Sequence, residues 1–333
     1  MFCNSTLRAI LLTAWLSVSC CLFFVATAQA KPLPIDTTTR VLRIGLPPEA
    51  NLLEQRKRYQ PLLNYLSDKL NIRFEIKSFY RHGDIIDDFK KSALDGAFFG
   101  SLTGALAVSK LGIEPIARLQ HPDSNSSCRG VLVIHRNSGI IDVKDTHRKR
   151  MVFVDRATAS GYLLPLVYFH ENGISDYNHW FSSVYFSGTY EDSIFELLDG
   201  HADISATKNT TLEYLKTINP RINQELVVLA ELQEVPETTL GLRADLSKNL
   251  KAVVRTELLT MHQHEEGRRI LADFGAQSFV PANNDDYQPI LDYAAGIDLN
   301  LESHVLTGCG GTDCTCRAEG CTSAHSLCTR SPR

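Results

Sequence analysis

Phe153-Val-Asp-Arg-Ala-Thr-Ala-Ser-Gly-Tyr-Leu-Leu-Pro165 is the most informative stretch of this chain. The four residues 151–154 read as a buried strand, a short hydroxyl-rich loop follows, and an apolar helix is predicted from about Ser160. Such a turn aims several free backbone N–H groups, together with the Thr158 and Ser160 hydroxyls, at one point. The helix start adds partial positive charge, so an anion cradle forms without a lysine. An ordinary serine N-cap has the same local pattern, so the turn gains meaning from what surrounds it.

The same succession recurs on both sides. Val41-Leu-Arg-Ile-Gly-Leu46 is predicted as a strand, 51–70 as a helix with Leu52, Leu53, Leu62, Leu63 and Leu66 on one stripe, and 72–79 as a second strand. A helix over 84–94, a short strand at Ala97-Phe-Phe99 and a helix over 101–111 follow. Strands at 131–134 and 151–154 and helices over 161–171, 191–198 and 210–217 continue the alternation, with strands near Val184 and Ile204. It predicts an α/β fold of two lobes with mainly parallel sheets. Helices over 246–262, 265–274 and 287–294 are expected to return to the first lobe and tie the hinge. Ser92-Ala-Leu-Asp-Gly-Ala-Phe-Phe and Leu197-Leu-Asp-Gly-His-Ala-Asp-Ile form a weak internal repeat, each a helix end, a glycine stop and a strand. Ligands of open α/β sheets sit beyond the carboxyl ends of the strands. A cleft between the lobes would receive Ser101 and Thr103 from one side and Thr158, Ser160 and Gly161 from the other.

The ends and the charge set limits. Arg8 is the lone charge before an apolar run over 9–26, and Ala28-Gln-Ala30 offers a small-x-small cleavage pattern, so 1–30 reads as a signal peptide and the protein as exported. Without the leader, 33 basic face 38 acidic side chains, net −5. No basic block marks a nucleic-acid partner. An anion must then be held by local donors. Three of the nine cysteines fall in the leader; Cys128 is isolated, and Cys309, Cys314, Cys316, Cys321 and Cys328 crowd a tail (307–333) too poor in apolar residues to build a core. Their spacing matches no zinc signature, and His262 and His264, two apart on a helix, diverge. No metal or cofactor is expected. The resulting division is 1–30 leader, 31–130 first part of lobe one, 131–240 lobe two, 241–306 return to lobe one, and 307–333 tail.

Several pieces, in this order and spacing, resemble the periplasmic binding proteins for phosphonate, phosphite and phosphate. They are Gly45-Leu-Pro-Pro with Arg58-Tyr-Gln-Pro-Leu-Leu-Asn-Tyr-Leu, Asp95-Gly-Ala-Phe-Phe-Gly-Ser, and Cys128-Arg-Gly-Val-Leu-Val-Ile. Phe153-Val-Asp through Thr158-Ala-Ser-Gly, Phe186-Ser-Gly-Thr-Tyr-Glu-Asp-Ser-Ile and Asp199-Gly-His-Ala-Asp follow. The likeness runs from about Leu42 to Ala295. It implies a two-lobe periplasmic binding protein fold, type II-like, that closes on an oxyanion and serves an ABC importer, without catalysis; a monomer is expected.

Three positions depart from that family's pattern. Ala159 interrupts the hydroxyls of Thr158 and Ser160, Tyr190 stands where a histidine is common, and Cys128 stands where an aromatic residue is common. Two donors suited to a dianion are lost and a soft ligand is gained. Phe98-Phe-Gly-Ser-Leu-Thr-Gly-Ala-Leu with a lone cysteine before Arg-Gly-Val resembles the periplasmic arsenite-binding branch, which reports to a membrane sensor kinase. The candidate ligand set is therefore Ser101, Thr103, Cys128, Thr158, Ser160, Gly161 and Tyr190. Each has a plainer role open to it: Cys128 as a small core residue, Ser101 and Thr103 as caps, Tyr190 as packing. A cysteine enzyme with Cys128 as nucleophile is the rival class, and it requires a base beside the thiol.

Overall fold

The computed structural model describes residues 40–48, 52–122 and 125–301. The leader assigned to 1–30 and the cysteine-rich tail lie outside them. Two mixed sheets organise the described chain. Strands β1 (Val41–Leu46), β2 (Arg73–Ser78), β3 (Gly96–Phe99), β4 (Ile113–Gln120), β10 (Thr239–Arg243) and β11 (Ser278–Pro281) form a six-stranded sheet in the order β11-β4-β10-β3-β1-β2. Strands β5 (Ser127–His135), β6 (Arg150–Phe153), β7 (Ser183–Phe186), β8 (Ile204–Lys208) and β9 (Leu226–Pro236) form a five-stranded sheet in the order β7-β6-β8-β5-β9. This is the α/β, two-lobe architecture that the alternating pattern predicts.

The expectation of mainly parallel sheets needs correction. β1 runs parallel to β2 and β3, and β6 runs parallel to β7 and β8. The pairs β3–β10, β10–β4, β4–β11, β5–β8 and β5–β9 are antiparallel. The parallel pairs join strands separated by crossover helices. The antiparallel pairs arise where the chain changes sheet: it leaves the first sheet after Gln120, enters the second at Ser127, and returns between Pro236 and Thr239.

Helices cover the sheets because their apolar stripes have no other place to go. In α1 (Leu52–Leu70), Tyr59, Leu62, Leu63 and Leu66 are buried and join Phe98, Leu240, Leu250 and Leu258 in one core. A second core lies under the far face of the other sheet, around Val131, Val133, Ile194, Leu197 and Leu215. The third spans both sheets: Phe99, Leu102 and Leu106 from the first meet Cys128, Leu132, Phe153 and Tyr162 of the second, and Tyr287, Ile290 and Ala294 close it. Helix α6 (Lys248–Thr260) packs on the first core, and α8 (Gln288–Gly296) on the shared one.

Candidate ligand site between the two sheets

Three chain segments converge where the strands end. β3 delivers Gly100, extended at φ −70° and ψ 172°, and then α2 (Ser101–Leu106), which winds on as a wider π-helical turn, Ala107–Leu111. β6 delivers Asp155, whose carboxylate accepts from the Ala157 N–H (2.8 Å) while its carbonyl accepts from the Thr158 N–H (3.0 Å). That tight Asp turn opens into a π-helical turn, Ala159–Leu163, and then α3 (Leu164–Glu171). π turns are uncommon and gather at functional sites. The helix thus begins at Ala159, one residue before the serine expected to start it, and Thr158 holds the cap position without a side-chain cap bond. The third segment is Pro236-Glu-Thr238, the return passage from β9 to β10.

A small cavity lies between them, lined by Ser101, Thr103, Cys128, Thr158 and Tyr190, and also by His82, Lys208, Pro236, Glu237 and Thr238. The void is only ≈ 10 Å³, about the space of one water molecule. Two helix starts face it, and their first N–H groups have no partner within the helix. Ser160 stands one layer back, its Oγ 3.8 Å from the Cys128 sulfur. Gly161 does not line the cavity. Its carbonyl accepts from the Val154 N–H (3.1 Å), and a Cβ there would fall 2.5 Å from the Val154 side chain. Tyr190 opens α4 (Tyr190–Leu198), and its carbonyl accepts from Ser193 Oγ (2.8 Å) and Thr207 Oγ1 (3.1 Å), which pins it to β8. The His82 ring packs edge-on against it, centroids 5.8 Å apart.

The hydroxyl protons point mostly inward. Ser101 Oγ donates to the Pro236 carbonyl (2.8 Å), Thr103 Oγ1 to the Gly100 carbonyl (3.1 Å) and Thr158 Oγ1 to the Asp155 carbonyl (2.6 Å). These oxygens therefore offer the cavity lone pairs, while its donors are backbone N–H groups and the polar ends of Lys208, His82 and Tyr190. Burial pushes the Cys128 thiol well above its ordinary range, and the nearby Glu237 charge pushes the same way. The group facing the cavity is a neutral thiol.

Glu237 anchors a buried charge cluster. Oε1 accepts from Lys208 Nζ (2.8 Å), the Thr238 N–H (2.9 Å) and Thr238 Oγ1 (3.1 Å); Oε2 lies 3.1 Å from His121 Nε2. Burial alone would raise its pKa, but the Lys208 charge and the His121 bond overcome that and hold the carboxyl well below its usual range. The other His121 nitrogen, Nδ1, lies 3.1 Å from the Gly275 carbonyl. Both ring nitrogens face acceptors, so both bonds form only in the imidazolium. Burial opposes that charge, and Glu237 more than compensates, leaving the His121 pKa raised. With His121 protonated, the cluster carries one net positive charge.

Lys208, Glu237, Thr238 and His82 were not legible as site residues. Lys208 closes β8, so the rule that ligands sit beyond strand ends could have found it. Glu237 and Thr238 lie between two strands that the alternating pattern did not reveal.

Comparison with known proteins follows the same lines. The profile of a family described as the periplasmic substrate-binding protein of phosphonate ABC transporters matches residues 44–287. A probable phosphite-binding protein of an ABC transporter from Prochlorococcus marinus is 23% identical over 279 residues, covering 77% of this chain and 90% of that protein. The phosphonates-binding periplasmic protein of Escherichia coli is 22% identical over 278 residues, covering 81% of each. Among solved structures, the Prochlorococcus marinus protein PhnD1 in complex with methylphosphonate superposes with a TM-score of 0.71 at 21% identity, over 78% of this chain and 98% of that one.

Proposed function

The chain belongs to the family of periplasmic substrate-binding proteins of phosphonate ABC transporters, and on that premise we propose that it closes on one small oxyacid of the phosphonate, phosphite or phosphate class and presents it to a membrane permease. The supporting observation is the cavity itself. Two helix starts and a cluster that carries one net positive charge when His121 is protonated surround a space of only ≈ 10 Å³, which admits no more than a small ligand, and that only as its walls part. A singly charged oxyacid matches that field. Ser101, Thr103, Thr158 and Tyr190 contact it, and Ser160 and Gly161 hold the turn behind it. The protein works as a monomer, exported by residues 1–30, and ligand shifts it toward the closed form that the permease reads. It does no chemistry: burial and the nearby Glu237 charge keep Cys128 a thiol rather than a thiolate, and Glu237, held well below its usual range by Lys208 and His121, is a weak base.

A second reading has its own support. Three hydroxyls have their protons committed to carbonyls, and a soft thiol faces the same space. A neutral trihydroxy acid such as arsenite donates protons to those oxygens and accepts a sulfur ligand. In that reading Cys128 is the ligand and the membrane partner is a sensor kinase. Thermal melting of the purified protein with phosphate, phosphite, methylphosphonate, arsenite and arsenate separates the two. A ligand at a hundredfold excess over its Kd adds about 2.7 kcal/mol of stability. Stabilisation by a phosphorus oxyacid that survives Cys128→Ser supports the first reading. Stabilisation by arsenite alone, lost in that variant, replaces it with the second. If none of the five shifts the melt, the small-oxyacid reading is wrong.

A further inference from the structure

A second and larger cavity, about 540 Å³, adjoins the first, and Lys208, Glu237 and Thr238 line both. Its other walls come from both sheets' helices: Arg58 of α1, Tyr214 from the helix after β8, and Phe274 just past α7 (Glu265–Asp273), with Leu119 behind. The inner cavity is nearly filled by its own walls, whereas the outer one has room, its aromatic and apolar surfaces mixed with charged groups such as Glu191, Glu213 and Asp273. We infer that the Lys208–Glu237 ion pair is the partition between them and sets the size limit of the ligand, excluding oxyacids that carry an aryl or long alkyl substituent. The inference rests on the small-oxyacid reading of the inner cavity and adds the residue pair that determines its specificity.

The geometry makes the partition firm. Glu237 is held at both oxygens, by Lys208, Thr238 and His121, so its carboxylate does not swing aside without losing several charge-assisted bonds. Lys208 is itself mostly buried, its side chain 13% exposed, with Nζ 5.5 Å from the Tyr190 ring centroid. A substituent that reached from the inner to the outer cavity would have to part Lys208 from a Glu237 side chain that is only 2% exposed. Separating a buried pair leaves a charge uncompensated, which is costly. A bare or methyl-substituted oxyacid leaves the pair intact. Lys208→Ala opens the wall with least damage, because Glu237 keeps His121 and Thr238.

Calorimetric titration of the full protein tests this with matched probes. They are methylphosphonate against phenylphosphonate or, if only arsenite binds, arsenite against phenylarsonous acid. Wild type is expected to prefer the small probe by about 100-fold or more; Lys208→Ala removes a cation, which weakens both anions alike, and narrows that ratio at least about tenfold because the phenyl group is no longer excluded. Lys208→Met, which keeps bulk and loses the ion pair, gives the same readout should the alanine variant not fold. A folded variant with an unchanged ratio, or a wild type that binds both probes alike, overturns the partition and leaves the small-oxyacid reading standing. A wild type that binds no small probe overturns both.

Discussion

At Cys128 a thiol is sealed between the two sheets, within reach of Ser160 Oγ and the Pro236 carbonyl. Burial penalises the thiolate, and only the thiolate is a nucleophile. Alkylation of Cys128 by iodoacetamide at pH 8 should therefore run at least about 100-fold slower in the native protein than in guanidinium. Mapping the modified Cys128 peptide by mass spectrometry distinguishes it from the tail cysteines. Equal rates in the two states would mean the thiol is open and ionised. Of the sequence candidates, Ser101, Thr103, Cys128, Thr158 and Tyr190 line one cavity, because each sits at or beside a strand end that the apolar pattern marked. Glu237 carried no such mark. An acid is ordinarily a surface residue, and what buries this one is a lysine from β8 and a histidine more than a hundred residues away.

Among the elements, the turn from β6 into α3 is the one whose geometry is tightest. Val154 packs against Gly161 so closely that a methyl group has no room. Gly161→Ala should cost about 1–3 kcal/mol of stability by overpacking and weaken ligand binding as the turn shifts. Urea unfolding with and without ligand measures both; an unchanged midpoint would show the turn to be slack. The strands that the pattern did not reveal are β4, β9, β10 and β11, and every one of them pairs antiparallel. The reasons are local. β4 holds Pro115 and β10 holds Gly241, residues that weaken a strand signal, and the two meet in register where the ladder shifts. A side chain at Gly241 would collide with Ile113 at 2.5 Å, so the glycine is there to let β3, β10 and β4 lie together. β9, at a sheet edge, has no two-residue alternation: its exposed positions, Val228, Glu231 and Glu234, fall every third residue. Missing these strands made the sheets read as parallel, and so did the antiparallel pairing of β5 with β8, two strands whose direction no local pattern reveals.

For the molecule as a whole, the decisive contact joins the two passages between sheets. His121 follows β4 on the outward passage, and Glu237 lies on the return. The linkage has a definite sign. His121 is raised from 6.5, so its contribution is full below that value and is lost as pH rises through the raised pKa. Glu237 is lowered from 4.5, so its contribution is present above that value and is lost as pH falls. The pair stabilises most between these limits. The melting temperature should decline on both sides of the window, and His121→Gln should flatten the alkaline decline and soften the acid one, where Lys208 still holds Glu237 low. Parallel alkaline limbs in the two proteins would show that the contact does not couple the passages.

The sequence by itself determined the alternation of strands and helices, the strand–turn–helix cradle after Phe153, and most of the side chains that meet at the cavity. These follow from periodicity and turn chemistry, which act over a few residues. Only the tertiary structure decided the mixed sheets, the place of Lys208 and Glu237 in the wall, and the raised pKa that Glu237 gives His121. Each of these depends on which distant segments lie side by side. A buried charge is tolerable only when its partners arrive with it, and those partners come from far along the chain.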